Sequence, residues 1–199
     1  MSLRMHSKSD SRLILASQSP RRKGLLGILG IPFDVIPADI AEVPRLGESP
    51  DQFVVRAAFE KGTEVASRVS DSVVVSADTI VTLDGHILGK PLDESDAVRM
   101  LMLLSGRQHE VYTAVCVIDQ VHSETFEGLE KTKVWFKSMT ETQALEYVRR
   151  EPVLDKAGSY AIQGFAQVYI SKIEGNYSNV MGLPLPLVCE LLARSKVYF

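Results

Sequence analysis

Val73-Val74-Val75-Ser76-Ala77-Asp78-Thr79-Ile80-Val81 reads as one buried strand, because β-branched and other apolar side chains run through it almost without a break. Asp78 falls in its middle. A carboxylate buried without a partner is costly enough that it is normally paired, hydrogen-bonded, metal-bound or neutralised by a shifted pKa. One strand therefore sets the sheet and asks the functional question at the same time.

Upstream, Leu13-Ile14-Leu15-Ala16 is a short apolar run. Ser19 then caps a helix whose first position is Pro20 and whose end is marked by Gly30. Ser49-Pro50-Asp51-Gln52 forms a capping box and opens a helix with Val54, Ala57, Ala58 and Val65 on one face and Lys61 in the same phase. Strand, helices and strand make a βαβ-like alternation. Downstream, Asp84-Gly85 is a hairpin signal and Ile87-Leu88 a brief return strand. Asp93 caps a helix carrying Ala97, Met100, Leu101 and Leu104, ended by Ser105-Gly106. The strand-like run Val111 to Ile118 is expected to pair with Thr132 to Phe136, whose Lys131 and Lys133 neighbours suit a solvated face. Thr140 and Gln143 form a second capping box for a helix to about Arg150, stopped by Pro152. Strands are expected around Tyr160-Ala161-Ile162 and from Gln167 to Ile173. A turn at Gly175-Asn176, a tight loop over Val180-Met181-Gly182-Leu183-Pro184 and a closing helix from Pro186 through Leu192 complete the chain. Alternating helices mixed with hairpins predict an α/β fold with a mixed sheet, not a purely parallel one.

The 199 residues, 45% hydrophobic and 24% charged, have ordinary globular composition and suffice for one domain with a substantial core. A net charge of −3 gives no global basic field, which argues against nucleic acid as a partner and requires any polyanionic ligand to be met by locally gathered cations. No apolar stretch reaches the roughly 18 residues of a membrane span. Residues 1–12 lack the apolar core of a secretory signal and are expected to be a flexible extension; their Arg, Lys and Ser content resembles a targeting peptide, but Asp10 and the shortness argue against one. Cys116 and Cys189 have no partner spacing for zinc or for a disulfide framework and are read as buried free thiols in a reducing, cytoplasmic setting.

Chemistry is suggested in four places. Ser17-Gln18-Ser19-Pro20-Arg21-Arg22-Lys23 gathers hydroxyls, free backbone N–H groups and cations at a helix start, an arrangement that suits phosphate. Arginine in a first turn opposes the helix dipole, so an anion there would relieve a local conflict; an exposed helix start is the plainer alternative. Lys61 points inward or along a cleft, or else snorkels at the edge of its apolar stripe. The Asp84-Gly85 turn brings Gly89-Lys90-Pro91 back near the Asp78 strand, where Lys90 and Asp78 would face each other as a structural or a catalytic pair. Glu42, in the polar connection Ala38-Asp39-Ile40-Ala41-Glu42, is either a surface acid or a second carboxylate beside Asp78 around a divalent cation, for which Mg²⁺ is the expected ion. His6, His86, His109 and His122 show no metal spacing, and the chain contains no Gly-x-Ser-x-Gly elbow, Walker loop or Gly-x-Gly-x-x-Gly fingerprint.

These segments, in this order, resemble the Maf family of nucleoside triphosphate pyrophosphatases. The blocks that carry the likeness are Leu15-Ala16-Ser17-Gln18-Ser19-Pro20-Arg21-Arg22, Ser76-Ala77-Asp78-Thr79, Gly89-Lys90-Pro91, Leu104-Ser105-Gly106, Asp155-Lys156-Ala157-Gly158-Ser159-Tyr160, Ile162-Gln163-Gly164 and Val180-Met181-Gly182-Leu183-Pro184. They span about residues 13 to 195. The resemblance implies an elongated, twisted mixed sheet flanked by helices, two-lobed with a central nucleotide cleft as in inosine triphosphatases, formed by a single domain over 13–199. It implies hydrolysis of a triphosphate between its α and β phosphates, with Mg²⁺ or Mn²⁺ as cofactor and a homodimer as the assembly. By the same resemblance Asp78 is the general base, Glu42 and Asp78 hold the metal, and Arg22, Lys61 and Lys90 bind the triphosphate with Ser17. Arg21, Thr79 and Gln163 match positions that divide the family by base, and here they fit the dTTP/UTP branch rather than the 7-methyl-GTP branch. Ser76 stands where Gly is common and Ala41 where a second acid is often seen. The role implied is house-cleaning of nucleotides; the alternative is a nucleotide-binding regulator of septum formation and cell division with little catalysis.

Overall fold

The computed structural model describes residues 12–198. The chain runs β1 (Arg12–Ala16), α1 (Pro20–Gly27), β2 (Asp34–Val35), α2 (Pro50–Ala66), β3 (Ser72–Leu83), β4 (His86–Leu88) and α3 (Glu94–Leu104). It continues through β5 (Gln108–Asp119), β6 (Glu124–Phe136), α4 (Glu141–Arg150), β7 (Ile170–Glu174), α5 (Tyr177–Met181) and α6 (Leu185–Arg194). The strands form one seven-stranded sheet ordered β2-β1-β3-β5-β6-β7, with β4 also paired to β3. β1 is parallel to β2 and β3, whereas the remaining pairings are antiparallel. The fold is the expected mixed α/β sheet flanked by helices.

Local chemistry explains the element boundaries. Ser19 Oγ accepts the Arg22 N–H at the start of α1, and reciprocal capping boxes open α2 at Ser49 and α4 at Thr140. Between β3 and β4, Asp84 and Gly85 have φ of 52° and 79°, the two left-handed residues that a tight hairpin needs.

The central strand decides where a ligand can enter. On one edge β3 pairs with β1 only as far as Ser76 and with β4 only from Val81 onward, while on its other edge β5 pairs with it from Val73 to Thr82. Ala77, Asp78, Thr79 and Ile80 therefore lack a strand partner on the first edge, beside the carboxyl end of β1. Open α/β sheets take ligands at such points, where neighbouring strands part. The core divides accordingly into two lobes. One packs Leu15, Val73 and Val75 against Leu26, Leu191 and Leu192, with Val54, Ala57, Ala58 and Val65 of α2 covering the opposite face. The other packs Val81, Leu88, Leu101, Leu104, Phe136 and Tyr147.

Several sequence expectations need correction. Arg12, assigned to the leader, opens β1, where its guanidinium meets Asp34 at 2.5 Å; the rest of the proposed extension, with His6, lies outside the described residues. β6 begins at Glu124 rather than Thr132, because a polar first half conceals a strand that the β5 pairing holds in register. Tyr160-Ala161-Ile162 is not a strand. It lies between two 3₁₀ turns, Ala157–Ser159 and Phe165–Val168, and Tyr160 is buried through side-chain packing and a 2.7 Å hydrogen bond to His109 Nε2. β7 starts only at Ile170, and the loop expected at Val180 begins inside α5.

The unusual Ser76 has a steric partner. Its Oγ donates to the Ala58 carbonyl at 2.7 Å, and a Cβ added at Gly62 would stand 2.7 Å from that same Oγ and 3.1 Å from Ile118. Gly62→Ala is therefore expected to destabilise the protein by about 1–3 kcal/mol, the range for overpacking. Gly62→Ala combined with Ser76→Gly should recover most of that loss in urea titrations; equal midpoints for the single and double variants would refute the coupling.

Candidate active site

The helical phase of α2 and the alternation of β3 bring Lys61 and Asp78 face to face. Lys61 Nζ donates to Asp78 Oδ1 at 2.5 Å, with both residues buried. The same ammonium lies 3.0 Å from Oε1 of Glu42, which the connection between β2 and α2 carries to the cleft. Burial alone would raise the Glu42 pKa, but Lys61 outweighs it, assisted by Lys90 and Arg22, and holds the carboxyl below its ordinary value. Two carboxylates thus converge on one ammonium.

The expected pairing of Asp78 with Lys90 is not formed. Val81 and Leu88 are the last partners of the β3–β4 ladder, and beyond them the Gly89 carbonyl accepts the Gly158 N–H at 3.0 Å. Lys90 is exposed, lines the cleft and makes no ion pair among the described residues. Lys61 occupies the place that the sequence reading gave to Lys90.

Arg22 ties three segments together. Its Nε donates to the Gly182 carbonyl at 2.8 Å, and one terminal nitrogen donates to Thr79 Oγ1 at 2.9 Å. The other terminal nitrogen reaches Ser17 Oγ at 3.5 Å. Burial lowers its pKa, against the pull of Asp78 and Glu42. Ser17 Oγ also accepts the Ser19 N–H at 3.2 Å, which closes the loop ahead of α1. Arg21 stands 3.6 Å from Asp155, whose carboxyl lies 2.7 Å from Lys156 Nζ; Gln163 is exposed on the cleft wall.

One cavity of about 860 Å³ is lined by Ser17, Arg21, Arg22, Glu42, Lys61, Asp78, Thr79, Lys90 and Gln163 together. That size and mixed lining suit a nucleotide-sized ligand. Sequence reasoning gave no role to the cleft-lining Asp155 and Lys156, to the Gly182 carbonyl, or to the support behind Thr79. That support is Thr113, 2.9 Å from Thr79 Oγ1, and the backbone of buried Asn179. Lys156 carries a faint signal, since it lies in the Asp155–Tyr160 block of the family resemblance; Thr113 carries none, being one more strand-forming residue of β5.

The donor set also bears on a metal ion. Among the described residues no group of three or more His, Cys, Asp or Glu side chains is placed to hold one. Glu42 and Asp78 fit only an ion that completes its shell with water and phosphate oxygens, as Mg²⁺ does. The described histidines are elsewhere: His109 is buried against Phe136 and Tyr160, with its pKa lowered to about 3 by burial, His122 bonds Asp119, and His86 is exposed.

Comparison with known proteins shows the family of the chain. A protein from Desulfotalea psychrophila named dTTP/UTP pyrophosphatase is 49% identical over 185 residues, covering 93% of this chain and 95% of its own length. A protein of the same name from Bacillus cereus is 43% identical over 190 residues, with 95% and 93% covered. Among solved structures, a HAM1 protein from Coxiella burnetii aligns with a TM-score of 0.46 and 14% identity, over 63% of this chain and 73% of that one. The family model described as Maf-like protein matches residues 12–195, and the chain belongs to the Maf family.

Proposed function

We propose that this chain hydrolyses dTTP and UTP to the nucleoside monophosphate and pyrophosphate, with Asp78 as the general base. The observation that carries the reading is Asp78 itself, a buried carboxylate on the stretch of β3 whose one edge is bare, gripped at 2.5 Å by Lys61 and open to the cleft. Relatives that are 43–49% identical along nearly their whole length and bear the name dTTP/UTP pyrophosphatase support the same reaction.

Lys61 engages Oδ1 of Asp78 and so orients the carboxylate, leaving Oδ2 to take a proton from the attacking water. Lys90, exposed and without an ion-pair partner among the described residues, meets the charge that develops on the leaving pyrophosphate. Arg22 spends three donor directions on Gly182, Thr79 and Ser17, so it contributes charge at the cleft floor and its remaining N–H groups to phosphate oxygens. Glu42 and Asp78 would hold Mg²⁺ or Mn²⁺, which when bound supplies charge neutralisation and alignment of the phosphates. Gln163, a donor and an acceptor on one amide, suits the adjacent carbonyl and N–H of a uracil or thymine edge, with Arg21 and Thr79 lining the same cavity. The proposal extends to a cytoplasmic setting, in keeping with the free thiols of Cys116 and Cys189, and to a homodimer. No helix among the described residues is long and apolar enough to cross a membrane.

Pyrophosphate release from a panel of triphosphates, assayed with Mg²⁺ and with Mn²⁺, tests this directly. dTTP and UTP should be turned over in preference to CTP and 7-methyl-GTP. Preference for 7-methyl-GTP would overturn the base assignment, and no cleavage of any triphosphate would give the lead to a nucleotide-binding regulator of cell division.

A further inference from the structure

We propose that Thr113, a buried residue of β5, fixes the direction of the Thr79 hydroxyl and thereby makes Thr79 a hydrogen-bond acceptor only toward the nucleobase. The inference rests on the pyrimidine reading of the cleft and adds the physical device by which one pyrimidine is told from another.

The proton positions follow from which groups can donate. Guanidinium nitrogens only donate, so the 2.9 Å contact from Arg22 places an N–H on Thr79 Oγ1. Thr113 Oγ1 lies 3.1 Å from the Asn179 carbonyl, which can only accept, so the Thr113 proton points there. Asn179 is held in place because its Nδ2 donates to the Val111 carbonyl at 3.0 Å and to Thr132 Oγ1 at 2.9 Å, in a fully buried position. The Thr79 proton then has one good partner, Thr113 Oγ1 at 2.9 Å. Its other neighbour, the Gly182 carbonyl, is 3.5 Å away, beyond the normal range for a hydroxyl, and already accepts Arg22 Nε. Donation therefore runs one way, from Arg22 to Thr79 to Thr113 to Asn179, from the cleft wall into the core.

Thr79 lines the cleft, whereas Thr113 does not. With its proton drawn inward and one lone pair taken by Arg22, the Thr79 hydroxyl offers the cleft a lone pair and nothing else. A base edge with an imide N–H, as in uracil and thymine, meets it favourably. Cytosine carries a bare acceptor at the equivalent ring nitrogen and would set lone pair against lone pair. A hydroxyl free to rotate would serve either base, so the selectivity lies in Thr113.

Steady-state kinetics with UTP and CTP on the full chain test this. Thr113→Val, nearly isosteric, removes the inward acceptor and lets the Thr79 hydroxyl turn outward. The UTP-to-CTP ratio of kcat/KM should fall about tenfold, roughly the discrimination one hydrogen bond can supply. The change should fall on KM, and Thr113→Ser should restore the ratio. General damage to the fold would depress both substrates alike. An unchanged ratio in a Thr113→Val enzyme that still cleaves UTP overturns the inference; if that variant does not fold, Thr113→Cys, a poorer acceptor of similar size, is read by the same ratio. A wild-type enzyme that cleaves neither UTP nor dTTP sinks the pyrimidine reading itself and the inference with it.

Discussion

Asp78→Asn should abolish pyrophosphate release from dTTP and UTP, by a factor on the order of 10²–10⁴, while nucleotide binding stays within a few-fold of wild type. Asparagine has nearly the same volume but cannot accept the proton of the attacking water. The fold should survive the change, because Lys61 keeps Glu42 as an anionic partner at 3.0 Å and does not become an unpaired buried charge. Measured without added metal, which Asp78 would help to hold, phosphate affinity should hold or rise, since one negative charge leaves a cleft that also contains Arg22, Lys61 and Lys90. The measurements are single-turnover pyrophosphate release and calorimetric binding of an α,β-imido analogue of dUTP. Turnover within tenfold of wild type would remove Asp78 as the base. Loss of binding together with turnover would make it a ligand-holding group instead.

Much of this arrangement is legible in the chain because it depends on local periodicity. Val54, Ala57, Ala58, Lys61 and Val65 share a helical phase, so the sequence alone could aim Lys61 at the sheet, and burial of that face confirms where it points. The capping boxes at Ser49 and Thr140 are local hydrogen-bond patterns and were equally plain. The break in pairing at Ala77–Ile80 is a different kind of fact. The apolar run passes through those residues without interruption, and the gap exists only because β1 ends opposite Ser76 and the β4 hairpin begins opposite Val81. Register is a property of two strands, so one strand's composition does not announce it. The expected Asp78–Lys90 pair is a similar case: the turn signal at Asp84-Gly85 brings Lys90 to the cleft, but Asp78 is already paired with Lys61, and the Gly89 carbonyl accepts an N–H from Gly158, far along the chain. Arg22 is the clearest case. A cation at a helix start suggests phosphate, yet its best partners are Thr79 and the Gly182 carbonyl, 57 and 160 residues away.

These long-range ties give the cleft a division of labour. The α2 face of β3 carries Asp78 with Lys61 and Glu42, a cluster of charge suited to phosphate chemistry. Thr79, next in the strand, points to the opposite face, where Thr113 and the carbonyls of Asn179 and Gly182 form with it a hydrogen-bonded group suited to reading a base, and Arg22 links that group to Ser17 in the loop ahead of α1. Because alternate residues of a strand face opposite ways, neighbours in sequence can serve the two ends of one nucleotide only where the strand edge is bare. The missing partner at Ala77–Ile80 is what permits it.

Lys61→Met is expected to cost about 3–5 kcal/mol of stability at neutral pH, in addition to turnover, since it strands Asp78 in the interior beside a second carboxylate. Methionine keeps most of the length and apolar stem, so the loss reports chiefly on charge. The pH dependence separates this from simple packing. In the wild type Lys61 is the foremost of the groups that hold Glu42 below its ordinary value, so this pairing stabilises the fold fully above the unfolded carboxyl pKa, about 4.3, and ceases to do so as the pH falls through the folded value. In the variant Glu42 has lost its ammonium, and its protonation relieves both its desolvation and its repulsion by the neighbouring carboxylate. The gap between wild type and variant should therefore be largest near pH 7 and narrow as the pH falls toward and then below about 4.3, the unfolded glutamate value. Urea unfolding at the two pH values measures it, and Glu42→Gln added to Lys61→Met should recover part of the loss at neutral pH. A gap of equal size at both pH values would assign the effect to packing and leave the ammonium without the bridging role that its distances of 2.5 and 3.0 Å to the two carboxylates imply.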